Sequence, residues 1–78
     1  METTNLAKIR REMRLSQPQL AKKAGVSVQV IRNYEQRQRN INNATGAILW
    51  RISRALNCFM EDLLELNQLE GDEPPFFF

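Results

Sequence analysis

Three side chains that can form hydrogen bonds to a partner occur within one short stretch of the sequence: Gln29, Arg32 and Asn33. Their spacing places them on one face of an α-helix, opposite the apolar residues Ile31 and Tyr34. Glutamine and asparagine amides both donate and accept hydrogen bonds, and the arginine guanidinium donates them in a fixed fork. This face could therefore bind a ligand that offers donors and acceptors together. The ordinary alternative is that these polar residues simply contact water on the outside of a helix.

The charges of the chain are separated along the sequence. Residues 1–56 contain all 11 Lys and Arg residues and only three acids, whereas residues 57–78 contain six acids and no Lys or Arg. The net charge of +2 thus combines a basic part of net charge +8 with an acidic end of net charge −6. The basic part favours a polyanionic partner, although charge alone leaves a solvated charged surface as the alternative.

The composition disfavours several classes of function. The chain has one cysteine, Cys58, and no histidine, so it contains neither a disulfide framework nor a common zinc-ligand spacing. We expect no metal and no cofactor. We also predict that the chain is not an enzyme, because it lacks a catalytic histidine, a phosphate-binding glycine loop and a carboxylate pair with a plausible pocket. The first residues lack the apolar core of a signal peptide and no apolar run could span a membrane, so we expect a cytoplasmic protein without membrane association.

Helix-start and helix-end signals are dense in the first half of the chain. Ser16 and Gln19 have the spacing of a capping box, and Gly25 can adopt the left-handed conformation that ends a helix. Ser27 is a suitable N-cap for the next helix, only two residues later. This spacing predicts two helices joined by a sharp turn, preceded by one amphipathic helix. The predicted helices cover 5–14, 17–24 and 28–36.

The second half of the chain contains two further apolar repeats of helical period. They predict a fourth helix over 45–56 and a short fifth helix over 61–69. The remaining segment, GDEPPFFF, combines glycine, proline and acids and is typical of a chain terminus outside a folded core. We therefore predict an all-α fold, a compact bundle of five short helices. The predicted division is a domain over 1–69 and an acidic, Phe-ending tail over 70–78.

The stretch LSQPQLAKKAGVSVQVIRNYEQRQR, residues 15–39, resembles the phage-repressor helix-turn-helix family, which includes the lambda-repressor and Cro-like DNA-binding domains. The resemblance covers about residues 5–66, since ISRALN at 52–57 and DLL at 62–64 are similar to the last two helices of that family. The matching positions in the motif are Leu15, Ser16, Gln17, Leu20, Ala21, Gly25, Val26, Ser27, Ile31, Tyr34 and Glu35.

The resemblance implies double-stranded DNA as a partner. In this family the second motif helix lies in the major groove and its N-terminal residues contact base edges. Amides suit adenine, a guanidinium suits guanine, and valine could touch a thymine methyl group. Arg32 could instead reach a phosphate, and Val28 could be partly buried. The residues implied to contact bases are Ser27, Val28, Gln29, Arg32 and Asn33.

The resemblance also implies contacts to the DNA backbone and one internal ion pair. Phosphate contacts are implied for Gln17, Arg37, Arg39 and Asn40, although Gln17 could be a plain helix-start residue. Arg10 and Glu35 match a structural ion pair that joins the first helix to the third.

Two departures from the family pattern affect the expected surface. Position 37 is Arg where the family usually has Gly, and Phe59 occupies a cap position where the family usually has Ser. Trp50 falls opposite the apolar stripe of the fourth helix. Trp50 and Phe59 could form a dimer or partner surface, or they could pack against the loop or the tail.

The predicted function is sequence-specific DNA binding by a small transcriptional regulator, a repressor that acts as a homodimer. The alternative is an antitoxin or accessory regulator whose main role is to bind a protein partner, with the C-terminal tail as the docking segment. A tail that folds back on the domain is a third reading of residues 70–78. Deleting 72–78 separates these readings, because only a folded-back tail would contribute to thermal stability.

Overall fold

The computed structural model describes residues 3–66, which contain four α-helices, two 3₁₀ helices and no strand. The α-helices are α1 (Asn5–Glu12), α2 (Gln17–Ala24), α3 (Val28–Glu35) and α4 (Gly46–Leu56). The 3₁₀ helices are Ile41–Asn43 and Met60–Leu63. The all-α prediction is confirmed for these residues. The predicted domain boundary at residue 69 and the tail over 70–78 lie outside the described residues.

Each α-helix is preceded by a serine or threonine whose hydroxyl oxygen accepts a backbone hydrogen bond from the first turn. The capping box predicted at the start of α2 is present, because the Ser16 N–H donates to Gln19 Oε1 at 2.8 Å and the Gln19 N–H donates to Ser16 Oγ at 3.1 Å. These oxygens satisfy amide groups that have no partner inside the helix. The N-cap residues are Thr4, Ser16, Ser27 and Thr45.

Each α-helix also ends in the same way, with a left-handed residue and a pair of overlapping backbone hydrogen bonds. At the end of α1, for example, the Leu15 N–H donates to the Arg10 carbonyl and the Arg14 N–H donates to the Arg11 carbonyl. Because this geometry closes the helix, α1 and α3 end one or two residues before the predicted 14 and 36. The left-handed residues are Arg14, Gly25, Arg37 and Asn57, with φ of 60°, 73°, 61° and 56°.

Replacing Arg14 with glycine is expected to raise the free energy of unfolding by about 1 kcal/mol, since an L-residue with a side chain is strained at this φ and Arg14 is exposed. Urea unfolding followed by circular dichroism measures the change. Arg11→Gly, inside α1, is the matched control and should lower stability by about 1 kcal/mol. A loss of stability in Arg14→Gly would show that its side chain contributes more than its backbone strain removes.

The fifth predicted helix is wrong between residues 61 and 65. The chain forms a 3₁₀ turn over Met60–Leu63 and becomes extended at Leu64. The Glu65 N–H donates to Asn42 Oδ1 at 2.8 Å, and Asn42 Nδ2 donates to the Glu65 carbonyl at 3.0 Å. These tertiary bonds use backbone groups that a continuing helix would need. The rest of the predicted helix, 67–69, lies outside the described residues.

The core is formed by apolar residues from all four α-helices and from both 3₁₀ helices. Leu20 and Ile31 are fully buried where α2 packs against α3. Ile52 and Leu56 of α4 and Leu63 of the second 3₁₀ helix are fully buried in the same core. Burial of these side chains fixes the angle between α2 and α3 through the turn at 25–27. The fold therefore holds α3 rigidly by one face and leaves its other face outside.

Candidate nucleic-acid interface

The outer face of α3 carries a pair of linked amides. Gln29 is exposed, Asn33 is half-buried one turn later, and Gln29 Nε2 donates to Asn33 Oδ1 at 2.8 Å. This bond fixes the orientation of both side chains relative to the helix. It leaves Gln29 with a carbonyl acceptor and one N–H, and it leaves Asn33 with two N–H groups. The pair can therefore still donate and accept toward a third group.

The first turn of α3 has structural tasks as well as exposed atoms. Ser27 is exposed and its Oγ accepts from the Val30 N–H at 3.3 Å, so the hydroxyl hydrogen remains available as a donor. Val28 is half-buried against the core. The partial burial considered for Val28 is therefore present, while part of its side chain stays at the surface.

Arg32 completes the polar face. The residue is half-buried, and among residues 3–66 no hydrogen bond or ion pair holds its guanidinium. Its five N–H donors are therefore available to a base or to a phosphate.

A buried carboxylate behind α3 joins three helices. Glu35 Oε2 accepts from Arg10 Nε at 2.6 Å, and Glu35 Oε1 accepts from Arg10 Nη2 and from Gln17 Nε2, each at 2.9 Å. Arg10 Nη1 donates to the Leu15 carbonyl at 2.8 Å. The side chains of Arg10 and Glu35 are 11% and 6% exposed, so this bidentate pair is largely shielded from water. It locks the C-terminal end of α3 to α1 and to the start of α2.

Gln17 therefore has a partner inside the fold. Its Nε2 keeps one N–H after the bond to Glu35, so a phosphate contact is compatible with this geometry but is not required by it.

The residues that follow α3 differ in whether their polar groups already have a partner inside the fold. Asn40 Oδ1 accepts from the Asn42 N–H at 2.9 Å, and Arg39 is exposed. Arg37 Nη1 donates to Glu65 Oε1 at 3.1 Å, so the predicted phosphate contact of Arg37 would share its guanidinium with an existing ion pair.

Comparison with known proteins agrees with this geometry. A helix-turn-helix family model matches residues 6–63, which include every α-helix except the first residue of α1. The chain belongs to the Cro/C1-type helix-turn-helix family. Members of this family are DNA-binding transcriptional regulators. No curated protein matches the chain in sequence.

The surface of this helix-turn-helix domain is basic. Two of the five acids in residues 3–66, Glu35 and Glu65, are buried and paired with Arg10 and Arg37. Nine other Lys and Arg residues then face only Glu12, Glu61 and Asp62 in this part of the chain. Such an excess of positive charge attracts a nucleic acid over several ångströms, whatever the base sequence of that nucleic acid.

The one cysteine thiol of the chain is not activated. Cys58 is half-buried after α4, and burial, with a smaller contribution from the charge of Asp62, raises the pKa of its thiol. The thiol therefore stays protonated at neutral pH and is a poor nucleophile. Residues 3–66 hold no cluster of Cys, Asp or Glu that could bind a metal ion. No helix in the same range is long and apolar enough to cross a membrane.

Glu65, which accepts a hydrogen bond from Arg37 after α3, was not predicted from the sequence as part of this site. Its Oε2 accepts from the Asn5 N–H at 2.7 Å, and its Oε1 accepts from Arg37, so one carboxylate ties the start of α1 to the exit of α3. It is 6% exposed. An acid inside the leucine-rich stretch LLEL was the available signal, because a charged residue between buried leucines needs a partner.

Replacing Glu65 with alanine is expected to lower the free energy of unfolding of the helix-turn-helix domain by about 2–3 kcal/mol, because a buried amide and a guanidinium lose a charged acceptor. Urea unfolding monitored by circular dichroism tests this value. Glu61→Ala is the matched control, since Glu61 is exposed and should change stability by less than about 0.5 kcal/mol. Equal effects of the two substitutions would contradict the role assigned to Glu65.

Proposed function

We propose that this protein is a sequence-specific transcriptional repressor that binds double-stranded DNA as a homodimer, with α3 in the major groove. The observation that carries the proposal is the linked Gln29–Asn33 pair on the outer face of a helix whose inner face and both ends are fixed. A rigid helix with exposed amides is suited to read base edges, because the hydrogen-bonding groups of the bases are presented in that groove at fixed positions.

Each side chain on the face of α3 has a chemically defined role in this proposal. The amides of Gln29 and Asn33 give and accept the two hydrogen bonds that adenine offers at N6 and N7. The guanidinium of Arg32 donates to guanine O6 and N7, or to a phosphate if it does not reach a base edge. Val28 contacts a thymine methyl group, and the Ser27 hydroxyl donates at the start of the helix.

Contacts to the sugar–phosphate backbone position the helix without reading sequence. In the proposal these contacts come from the remaining N–H of Gln17, from Arg37 and Arg39 and from the Asn40 amide, which flank α3 on its two sides in the sequence. Of these contacts, those made by arginine supply a salt-dependent part of the affinity, since each phosphate neutralised by a cation releases counterions.

The size of the reading helix supports binding as a pair. An α-helix of eight residues is about 12 Å long, so one copy covers only a few base pairs. Two copies related by a two-fold axis would read half-sites about 34 Å apart, which is one turn of DNA. A dimer on such a site would repress transcription by blocking access of polymerase to a promoter.

Selection of bound duplexes from a random pool at near-physiological salt tests the proposal. The expected result is a two-fold sequence motif with half-sites about 10 bp apart. Weak binding to all duplexes, with steep salt dependence and no common motif, would contradict base reading. The alternative role, binding of a protein partner through residues 70–78, would then be the reading to pursue.

A further inference from the structure

We propose that Trp50, Arg54, Phe59 and Glu61 form a contact between two copies of this chain, here called the Trp50 surface. These residues line one cleft of about 230 Å³ between α4 and the second 3₁₀ helix. The inference names the surface through which the homodimer of the proposed function would form, and that link to DNA binding is the only part that rests on the proposed function.

Two large aromatic rings are exposed on this surface, and both line the same cleft. Trp50 is 56% exposed and Phe59 is 72% exposed, whereas Tyr34, the other aromatic residue in 3–66, is 8% exposed. Trp50 lies on the outer face of α4, away from the buried Leu49, Ile52 and Leu56, as the helical phase of the sequence predicts. Exposed aromatic rings that line one cleft are typical of protein contact surfaces.

Hydrogen bonds fix the backbone at both of these aromatic residues. The Phe59 N–H donates to Asp62 Oδ2 at 2.9 Å, and the Trp50 carbonyl accepts from Ser53 Oγ at 2.8 Å. Phe59 occupies the N-cap position of the 3₁₀ helix without a side-chain hydrogen bond, although a serine there could cap that turn. The phenyl ring therefore contributes nothing to the cap and little to the core of one copy, which is the pattern expected of a residue used in an interface.

The charges beside the rings favour a second copy as the occupant. Arg54 lines the cleft from α4 and Glu61 lines it from the 3₁₀ helix, and among residues 3–66 neither has an ion-pair partner. In a contact with two-fold symmetry both copies use the same set of residues. A surface that carries both a positive and a negative side chain can therefore pair with a second copy of itself. In our proposal Arg54 of each copy faces Glu61 of the other. The acidic tail of this chain would instead meet Glu61 and Asp62, which repel it.

The area of the Trp50 surface sets the strength of the contact. A fully covered aromatic side chain buries about 150–250 Å², so the two partly exposed rings offer on the order of 250 Å² per copy. A standard interface buries about 800 Å² per partner. The dimer should therefore be weak in solution and should form mainly when both copies are held on neighbouring half-sites.

Charge exchange tests the proposed pairing. Sedimentation equilibrium of the full chain at high protein concentration should show weak self-association, and Arg54→Glu and Glu61→Arg should each weaken it about tenfold, because each places like charges together twice. An equimolar mixture of the two variants should associate at least as well as the wild type, since each variant then meets its opposite charge. Self-association that ignores both substitutions, or a mixture that stays monomeric, would overturn the proposal.

Phe59→Ser separates the interface from folding. The substitution should keep or raise the thermal midpoint of the monomer, because serine can cap the turn, and it should weaken self-association about tenfold. Met13→Ala, at an exposed methionine on another face, should leave association unchanged. A chain that ends at residue 69 should still self-associate, and its failure to do so would show that the contact is made by the tail and that the proposal is wrong.

Binding to single and paired half-sites distinguishes this inference from the proposed function. Variants of the Trp50 surface should bind one isolated half-site as the wild type does and should lose only the cooperativity between two half-sites. A chain that self-associates through this surface but selects no DNA motif would retain the interface and refute the DNA reading.

Discussion

Replacing Glu35 with alanine is expected to lower the free energy of unfolding by about 3–5 kcal/mol, because it leaves the Arg10 guanidinium buried without its partner. The same change removes the acceptor of Gln17 and the link between α1, α2 and α3. A domain of this size has a total stability of only about 5–8 kcal/mol. Much of the Glu35→Ala population should therefore be unfolded well below the melting temperature of the wild type, as measured by circular dichroism.

The control for this prediction is another acid of the same chain outside the ion pair. Glu12→Ala removes an exposed carboxylate at the end of α1 and should change stability by less than about 0.5 kcal/mol. The double change Arg10→Met with Glu35→Leu removes both buried charges together and should recover part of the loss, since no charge is left unpaired. A Glu35→Ala variant as stable as the control would show that the ion pair does not hold α3.

The second large effect concerns DNA affinity. Replacing Gln29 and Asn33 together with alanine is expected to weaken binding to the selected motif by about 100-fold or more, since each well-placed base contact contributes about 1–3 kcal/mol. Because a hydrogen bond of 2.8 Å links the two amides, each single substitution also disturbs the orientation of the other. The effects of the single substitutions should therefore not add, and a double-mutant cycle by fluorescence anisotropy measures the coupling.

Arg11→Ala is the matched control for the amide pair. Arg11 is exposed on α1 and has no assigned role in base reading. Its loss should weaken binding to motif and random duplexes by the same factor and reduce the salt dependence. If the double alanine variant behaves like this control, α3 does not read sequence.

The starts of the helices and the turn between α2 and α3 could be predicted because their causes are local. Ser16 and Gln19 cap each other within one turn, and Gly25 has the positive φ that glycine adopts without strain. The opposite is true of Arg14 and Arg37, which have the same left-handed conformation although nothing in their residue type favours it. The surrounding tertiary structure imposes their conformation, so local signals placed the ends of α1 and α3 slightly late.

The contacts of Glu65 could not be predicted for a related reason. Asn5 and Glu65 are 60 residues apart in sequence, and their pairing depends on how α1 packs against the second 3₁₀ helix. The leucine pattern around Glu65 has a helical period, but hydrogen bonds to Asn42 use its backbone groups instead. The exposed face of α3 was easier to predict from the sequence, because its exposure follows from the burial of Ile31 and Tyr34 on the opposite side.

The most direct test of base reading changes the DNA and leaves the protein intact. Each purine of the selected half-site would be replaced in turn by its 7-deaza analogue, which removes the N7 acceptor from the major groove only. We predict that at least one replacement weakens wild-type binding about tenfold or more, and that the variant with Gln29→Ala and Asn33→Ala is insensitive to that same replacement. Wild-type binding that is unchanged by every replacement would contradict the reading of bases by α3.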